Sequence, residues 1–402
     1  MSFLFAKGKV KTPQELVAAL YEWTTSIDDL AQAERKPTEE IAELLQQAKR
    51  IAHGELNGEA DPDLMAALAK EMYANDLIIH LIHILDRLDF EARRDVASLF
   101  SFLLRRTPTV EYLLSRPQVF DALIESAGSP EVYRNVGSML RDCAKHPELT
   151  RNIMAKPSFW YFFDYCRDLP FEVGSDCFTT LAEFLRCSPE LSAEFLAVNG
   201  KEFSHNMNTL MLSDNYVTKR QALKLMGQLI RERANQPFMV QYIEDLSNLK
   251  LVMRLLRDRS KNIHMETFQL FKVFVANPRK PAVIFDVLAK NKQRLLEVLS
   301  NLGADRKDDK QFNDERLFVM RRIKSLPDVD NSKPPASKWS AQPSPESSPP
   351  RSPARSRSPE YMPPSGPPSP SRAQIPAAMQ LGHAAPVLNS QLPQLGPPEH
   401  RV

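Results

Sequence analysis

Apolar residues recur at intervals of three and four through most of the first 326 residues of the chain, and polar residues fill the positions between them. The segment 217–231 is a clear example. Its apolar positions are Ala222, Leu225, Met226, Leu229 and Ile230. These positions share one face of an α-helix, so the pattern predicts a helix with that face buried. No segment alternates between apolar and polar residues as a half-buried strand would, so the chain is predicted to be all-α.

Proline, asparagine and glycine mark the joints between the predicted helices. Thr12 precedes Pro13, and this pair favours a helix start because threonine caps well and proline fits the first turn. A later helix is expected to take Asn262 as its N-cap. The same helix is expected to stop at Ala276-Asn277, because Pro278 disfavours helical backbone in the residue before it.

The predicted helices recur in pairs with a period of about 40 to 45 residues, the period of armadillo and HEAT repeats. One pair cannot bury its apolar face alone, so successive pairs must stack and share a continuous core. We therefore expect an armadillo/HEAT-like superhelix, an α-solenoid. A compact helical bundle is the alternative, but the length of the chain and the steady succession of mid-length helices favour the solenoid.

The composition of the chain changes near residue 326. Residues 331–402 hold 18 of the 32 prolines and few large apolar side chains. Such a segment cannot bury enough apolar surface to offset its chain entropy. The sequence thus predicts a helical-repeat domain over 1–326 and a disordered Pro/Ser-rich tail over 327–402.

The charge balance argues against a nucleic-acid partner. The segment 331–402 has seven Lys and Arg against three Asp and Glu, while the whole chain has a net charge of +2. The rest of the chain is therefore nearly neutral and lacks the basic excess of a dedicated nucleic-acid-binding protein. No apolar run approaches the 18 or so residues that span a bilayer, so we expect no membrane insertion and a cytoplasmic location.

Candidate metal ligands are present, but their surroundings favour structural roles. His80 and His83 lie in an apolar segment without an HExxH pattern. An acidic cluster precedes the last predicted helix and consists of Asp305, Asp308, Asp309, Asp314 and Glu315. An EF-hand loop needs glycine at its sixth position, and Lys310 stands there instead. We expect a solvated loop and no metal or other cofactor.

Catalytic motifs are also missing from the sequence, and we expect a protein that is not an enzyme. Phosphate-binding glycine loops and a GxSxG elbow are absent. The four cysteines have no CxxC spacing and are predicted to be buried free thiols in a reducing compartment: Cys143, Cys166, Cys177 and Cys187.

Several longer phrases resemble one protein family. They include DVASLFSFLLRRTPTVEYLL at 95–114, SDNYVTKRQALKLMGQL at 213–229, NLKLVMRLLRDRSKNI at 248–263 and FKVFVANP at 271–278. These phrases are similar to the calcium-binding protein 39 family, also called Mo-twenty-five, which has HymA among its fungal members. The resemblance runs from about residue 1 to 326, and the tail has no counterpart in it. It implies a right-handed superhelix of helical repeats.

The resemblance also implies a function and two binding surfaces. The family's members are non-catalytic scaffolds that hold sterile-twenty or germinal-centre-type kinases, or related pseudokinases, in an active conformation. A concave face matches this chain at Phe171, Ser175, Arg220 and Lys224. A pocket near the C-terminal end, which takes a partner's Trp-Glu-Phe tail, matches Tyr216, Lys250, Met253, Asn262 and Lys290.

The tail offers separate hypotheses. Five serines precede proline, as proline-directed kinases require: Ser344, Ser348, Ser352, Ser358 and Ser369. The segment 367–372 fits PxxPxR, which is typical of SH3-domain ligands in a polyproline helix. A plain flexible linker is an equally good interpretation.

The resemblance favours a monomeric kinase-activating scaffold in intracellular signalling for cell polarity, morphogenesis and hyphal development. A solenoid adaptor for transport or trafficking cargo is the alternative. Such an adaptor should carry a regular ladder of asparagine or tryptophan along its inner helices, and the three tryptophans form none: Trp23, Trp160 and Trp339.

Overall fold

A computed structural model describes residues 11–27, 37–53, 61–303 and 308–328, and its regular elements in those ranges are all helical. The α-helices are α1 (Pro13–Thr25), α2 (Pro37–His53), α3 (Pro62–Ala74), α4 (Leu77–His83), α5 (Phe90–Leu103), α6 (Thr107–Leu114), α7 (Gln118–Ser126), α8 (Tyr133–Cys143), α9 (Pro147–Met154), α10 (Tyr161–Asp168), α11 (Phe171–Phe184), α12 (Pro189–Met211), α13 (Tyr216–Arg231), α14 (Gln236–Glu244), α15 (Leu246–Leu255), α16 (Lys261–Ala276), α17 (Ala282–Lys290), α18 (Lys292–Asn301) and α19 (Lys310–Lys324). The all-α prediction is confirmed.

The start of α1 and the buried face of α13 agree with the sequence pattern. Thr12 caps α1 through its side chain, and Glu15 completes a capping box with it. The five apolar positions predicted for α13 are all buried.

The predicted N-cap of α16 is wrong, although its end is confirmed. Ser260 caps α16 by accepting a hydrogen bond from the N–H of Ile263. Asn262 lies inside the first turn, so its side chain does not cap that helix and points to a neighbouring one instead. The helix ends at Ala276, before Asn277, as the following proline predicted.

Every third helix in the first part of the chain belongs to one layer. Helix α2 packs against α5, α5 against α8, and α8 against α11. The series continues through α13, α16 and α19. We call these seven helices the inner layer. The predicted helix pairs are therefore corrected to units of mostly three helices, with a period close to the expected one.

Helix α12 explains why one unit has two helices. It is 23 residues long and contacts α9 and α10 on one side and α14 on the other. One long helix thus occupies the place that two shorter helices fill elsewhere. The extensive helix contacts join elements of the same or adjacent units, as in a repeat array and unlike a compact bundle.

Buried polar side chains donate hydrogen bonds to carbonyl groups at the C-terminal ends of several helices. Thr150 donates a hydrogen bond to the carbonyl oxygen of Ala144 at 3.2 Å, and Asn248 donates to that of Tyr242 at 2.9 Å. Each bond spans six residues and satisfies a carbonyl that the helix itself leaves without a partner. The same spacing recurs at Thr109 and Asn235.

We expect Thr150→Val to lower the free energy of unfolding by about 1–3 kcal/mol, because valine keeps the shape but removes the donor to a buried carbonyl. Thr150 is fully buried. Urea denaturation followed by circular dichroism measures the change. Thr179→Val is the matched control, since the Thr179 hydroxyl is exposed and donates a hydrogen bond to the carbonyl oxygen of Ser175 in its own helix. Equal stabilities for the two variants would contradict the role given to Thr150.

The cysteine prediction holds at three positions and fails at one. Cys143, Cys166 and Cys177 are buried free thiols, whereas Cys187 is exposed. Cys187 lies in the turn after α11, outside the buried face of that helix. Burial raises the pKa of the Cys166 and Cys177 thiols, the latter to about 12.

Candidate partner-binding surface

Two neighbouring helices of the inner layer carry the residues predicted for the concave face. Phe171 is the first residue of α11 and is 48% exposed, although phenylalanine is usually buried. Ser175 lies one turn later and is half-buried. Arg220 and Lys224 lie one turn apart on α13, which packs against α11. The structure therefore places these four residues on adjacent helices of one layer.

The two cations on α13 differ in their contacts. The Nε atom of Arg220 lies 3.9 Å from a carboxylate oxygen of Glu266 on α16, and the arginine side chain is 47% exposed. Lys224 is exposed and makes no hydrogen bond or ion pair with the described residues. Exposed ion pairs are worth little, so both cations are available to a carboxylate on a partner.

A cleft of about 1060 Å³ lies beside α15 and α18. Lys250 and Met253, two of the residues predicted for the C-terminal pocket, both line it. Its wall includes five Lys and Arg side chains against three Asp and Glu. The excess of positive charge beside the flexible Met253 suits a ligand that combines an apolar side chain with an anionic group.

The other three predicted pocket residues do not line this cleft. Asn262 donates a hydrogen bond from Nδ2 to the hydroxyl of Tyr216 at 2.9 Å. This bond joins the first turns of α16 and α13. Tyr216 is 42% exposed and lies one turn before Lys219, which does line the cleft. Lys290 is exposed and ends α17, while its neighbour Asn291 lines the cleft.

The sequence interpretation missed an ion pair at the edge of the cleft. Lys219 Nζ lies 3.2 Å from a carboxylate oxygen of Asp258, and both side chains are about one-fifth exposed. The two residues are 39 positions apart, so no local pattern could have paired them. Burial favours a raised pKa for Asp258, but hydrogen bonds from the Ser260 N–H and from Lys219 outweigh it and lower the pKa.

We expect Asp258→Asn to destabilise the fold by about 1 kcal/mol at pH 7, because charged hydrogen bonds exceed neutral ones in strength. Since folding lowers the pKa of Asp258, its contribution is complete above the unfolded pKa and is lost as pH falls through the folded pKa. The difference in stability between the two proteins should therefore shrink as pH falls through the folded pKa and vanish below it. Urea unfolding across pH measures this, with the exposed Asp286→Asn as control. A difference that persisted in acid would contradict the assignment.

The other candidate metal ligands are not brought together within the described residues. His80 packs edge-on against the ring of Tyr21 at 5.1 Å. Within the described residues, no three His, Cys, Asp or Glu side chains are grouped to hold a metal ion. Asp305 of the acidic cluster lies outside those residues, as do the five Ser-Pro serines and the PxxPxR segment. None of the helices described is long and apolar enough to cross a membrane.

The stacked helical units and their inner layer define a helical-repeat protein. The family model described as Mo25-like matches residues 3–327. The chain therefore belongs to the Mo25-like family, as the resemblance predicted.

Individual relatives support the same assignment. The Mo25-like protein of Schizosaccharomyces pombe is 39% identical over 331 residues, which cover 81% of this chain and all of that protein. The Calcium-binding protein 39-like protein of Homo sapiens is 38% identical, with 80% of this chain and 97% of that protein covered. The Conidiophore development protein hymA of Emericella nidulans is 33% identical, with coverage of 81% and 94%.

Among solved structures, the chain is similar to a computationally designed armadillo repeat protein for modular peptide recognition. It aligns with a TM-score of 0.40 and 12% identity, and the match covers 66% of this chain and all of that protein.

Proposed function

We propose that this Mo25-type scaffold binds and activates a sterile-twenty or germinal-centre-type kinase, or a related pseudokinase, through α11 and α13. The observation that carries the proposal is the exposed aromatic ring of Phe171 on α11, the helix that packs against α13 with its available cations Arg220 and Lys224. Aromatic and arginine side chains dominate the energetics of protein interfaces. A scaffold of this kind would act in the cytoplasm, in signalling for polarity and morphogenesis.

Activation follows if the scaffold binds the active conformation more tightly than the inactive one. A binding preference of about 1–3 kcal/mol raises the ratio of active to inactive kinase by roughly 5- to 150-fold. The chain needs no catalytic residue for this effect. Its inner layer only has to fit one arrangement of the kinase.

The cleft beside α15 would add a second contact. We propose that Met253 packs against an apolar side chain of the partner's tail and that Lys250 meets a carboxylate. Tyr216 and Asn262 would orient the tail at the edge of the cleft, and Lys290 would lie near its end. Two contacts on one chain raise the effective concentration of each, so that moderate affinities combine.

The proposal is tested with purified sterile-twenty and germinal-centre-type kinases and pseudokinases from the same organism. Binding is measured by calorimetry, and kinase activity with and without the full chain. We expect at least one kinase to bind and gain activity, and the Arg220→Ala, Met253→Ala double variant to lose both effects while remaining folded. Absence of binding across the panel would reject the proposal and favour the alternative, an adaptor for transport cargo.

A further inference from the structure

A second cleft, of about 630 Å³, lies between α5 and α8 in the N-terminal half of the inner layer. We call it the arginine groove and define it by Arg94, Ser98, Ser101, Arg105, Arg134 and Ser138. None of the residues predicted for a binding site lies in it. Along the inner layer, α11 follows α5 and α8, and α13 and α16 come after it.

The helical positions explain the shape of the groove. Arg94, Ser98, Ser101 and Arg105 follow one another at intervals of four, three and four along α5 and the turn after it, so they share one face. The two serines form a floor of small side chains between arginines. Arg94 and Arg105 are eleven residues apart, which corresponds to about 16 Å at the rise of a helix. An extended peptide of about five residues has that length.

The arginines are free to bind an anion. Arg105 and Arg134 form no ion pair with the described residues, and their guanidinium groups lie over the rings of Phe102 at 5.2 Å and Tyr133 at 5.5 Å. The Nε–H of Arg134 also donates a hydrogen bond to the hydroxyl of Tyr133 at 2.8 Å. These contacts restrict both side chains and leave the terminal N–H groups of each without a hydrogen-bond partner among the described residues. Arg94 pairs with Glu91, but both side chains are more than half exposed. Arg94 can therefore exchange Glu91 for an anionic ligand at little cost in free energy.

Acidic side chains scarcely compensate this charge. Glu131 is the one acidic residue on the groove wall, and its carboxylate accepts a hydrogen bond from Ser129. The pKa of Arg134 is raised, first by its hydrogen bond to Tyr133 and to a smaller extent by Asp176 and Glu172 on α11, which do not line the groove. The wall is therefore positively charged over most of its length. Charge complementarity favours a ligand with at least two negative groups.

An apolar position completes the groove. Phe90 is the first residue of α5 and is 72% exposed. Such exposure of a phenylalanine at the wall of a polar groove is typical of a site for an apolar side chain of a partner. The ligand should thus be both acidic and partly apolar.

We propose that the arginine groove binds an extended segment of a partner protein, about seven residues long, the length that reaches from Phe90 to Arg105. Two Asp or Glu side chains of this segment meet Arg105 and Arg134, and one apolar side chain packs on Phe90. A protein segment fits better than a nucleic acid, because the groove is short and the surrounding chain is nearly neutral. The residues of this site belong to other helices than those of the proposed kinase surface on α11 and α13.

A displayed library of random heptapeptides, selected on the immobilised full chain, tests the proposal. We expect the enriched peptides to carry two or more acidic residues and an apolar one. A fluorescein-labelled peptide of that group should bind at least tenfold more weakly to the Arg105→Glu, Arg134→Glu variant. Ser101→Trp should weaken binding as strongly, since it fills the floor without changing the charge. Raising the salt from 50 to 500 mM should also weaken binding.

The Lys201→Glu, Arg279→Glu variant is the matched control, because it changes the net charge equally at exposed positions away from the groove. It should bind the peptide as the wild type does. Enrichment without acidic bias, or equal affinity for the wild type and both groove variants, would overturn the proposal. Binding of a labelled uridine decamer that is lost on the same charge reversal, without peptide binding, would reassign the groove to nucleic acid and equally overturn it.

Discussion

Arg220→Glu is expected to weaken kinase binding by roughly 30- to 1,000-fold, the effect of losing an interface residue worth about 2–4 kcal/mol. The substitution replaces an available cation by an anion at the point where α13 meets α16. It also places two carboxylates close together, because Glu266 already faces Arg220. Calorimetry with the kinase that the wild-type chain activates measures the loss.

The fold itself should tolerate this change. Arg220 is 47% exposed and its ion pair with Glu266 is long, so its removal changes stability by less than about 1 kcal/mol. Lys201→Glu on α12 is the control for net charge, since α12 lies outside the inner layer. It should leave kinase binding intact.

A charge swap separates recognition from internal pairing. The Arg220→Glu, Glu266→Arg variant restores an ion pair of reversed direction between α13 and α16. If Arg220 contacts the partner directly, this variant should bind as poorly as Arg220→Glu. Recovery of wild-type affinity would show that Arg220 acts only by holding Glu266, and the assigned contact would be wrong.

Much of the fold could be predicted because its signals are local. The burial of one face of α13 follows from apolar spacing, and the first turn of α1 follows from Thr12, Pro13 and Glu15. Each of these features depends on residues within a few turns of each other. Such local signals are those that sequence patterns express.

The N-cap of α16 shows where local reasoning is insufficient. Ser260 and Asn262 are comparable capping residues, so their order along the chain does not decide between them. Two contacts outside the helix decide which of them caps it. Asp258 accepts a hydrogen bond from the Ser260 N–H at 2.9 Å, and the hydroxyl of Tyr216 holds Asn262 across 46 residues.

The site residues also fall into two groups, those that the sequence indicated and those that only the packing of distant segments reveals. The resemblance brought together Lys250 and Met253, which line one cleft, but it gave no sign of the Lys219–Asp258 pair at its edge. The arginine groove was also missed. Arg94 and Arg105 are ordinary solvated arginines in the sequence, and only the packing of α5 against α8 forms a groove between them and Arg134.

The unit that contains α12 should be the most sensitive to a core substitution. Phe203 is fully buried, and its ring packs against those of Phe163, Phe195 and Phe238 at centroid distances of 5.9, 6.2 and 5.7 Å. We expect Phe203→Ala to lower the free energy of unfolding by about 3–5 kcal/mol, because it removes a large side chain and leaves a cavity. Urea denaturation measures the loss.

Val198→Ala on the same helix is the matched control, because Val198 is 84% exposed and should change stability by less than about 0.5 kcal/mol. The position of the damage is also testable. Phe203 connects α12 to α10 and α14, so hydrogen exchange should accelerate in those helices before it does in α2 or α5. A repeat array predicts that exchange accelerates most near the substitution, because each unit is stabilised by its neighbours. Uniform acceleration along the whole chain would instead indicate one cooperative domain, and binding at α13 would then fail together with the fold.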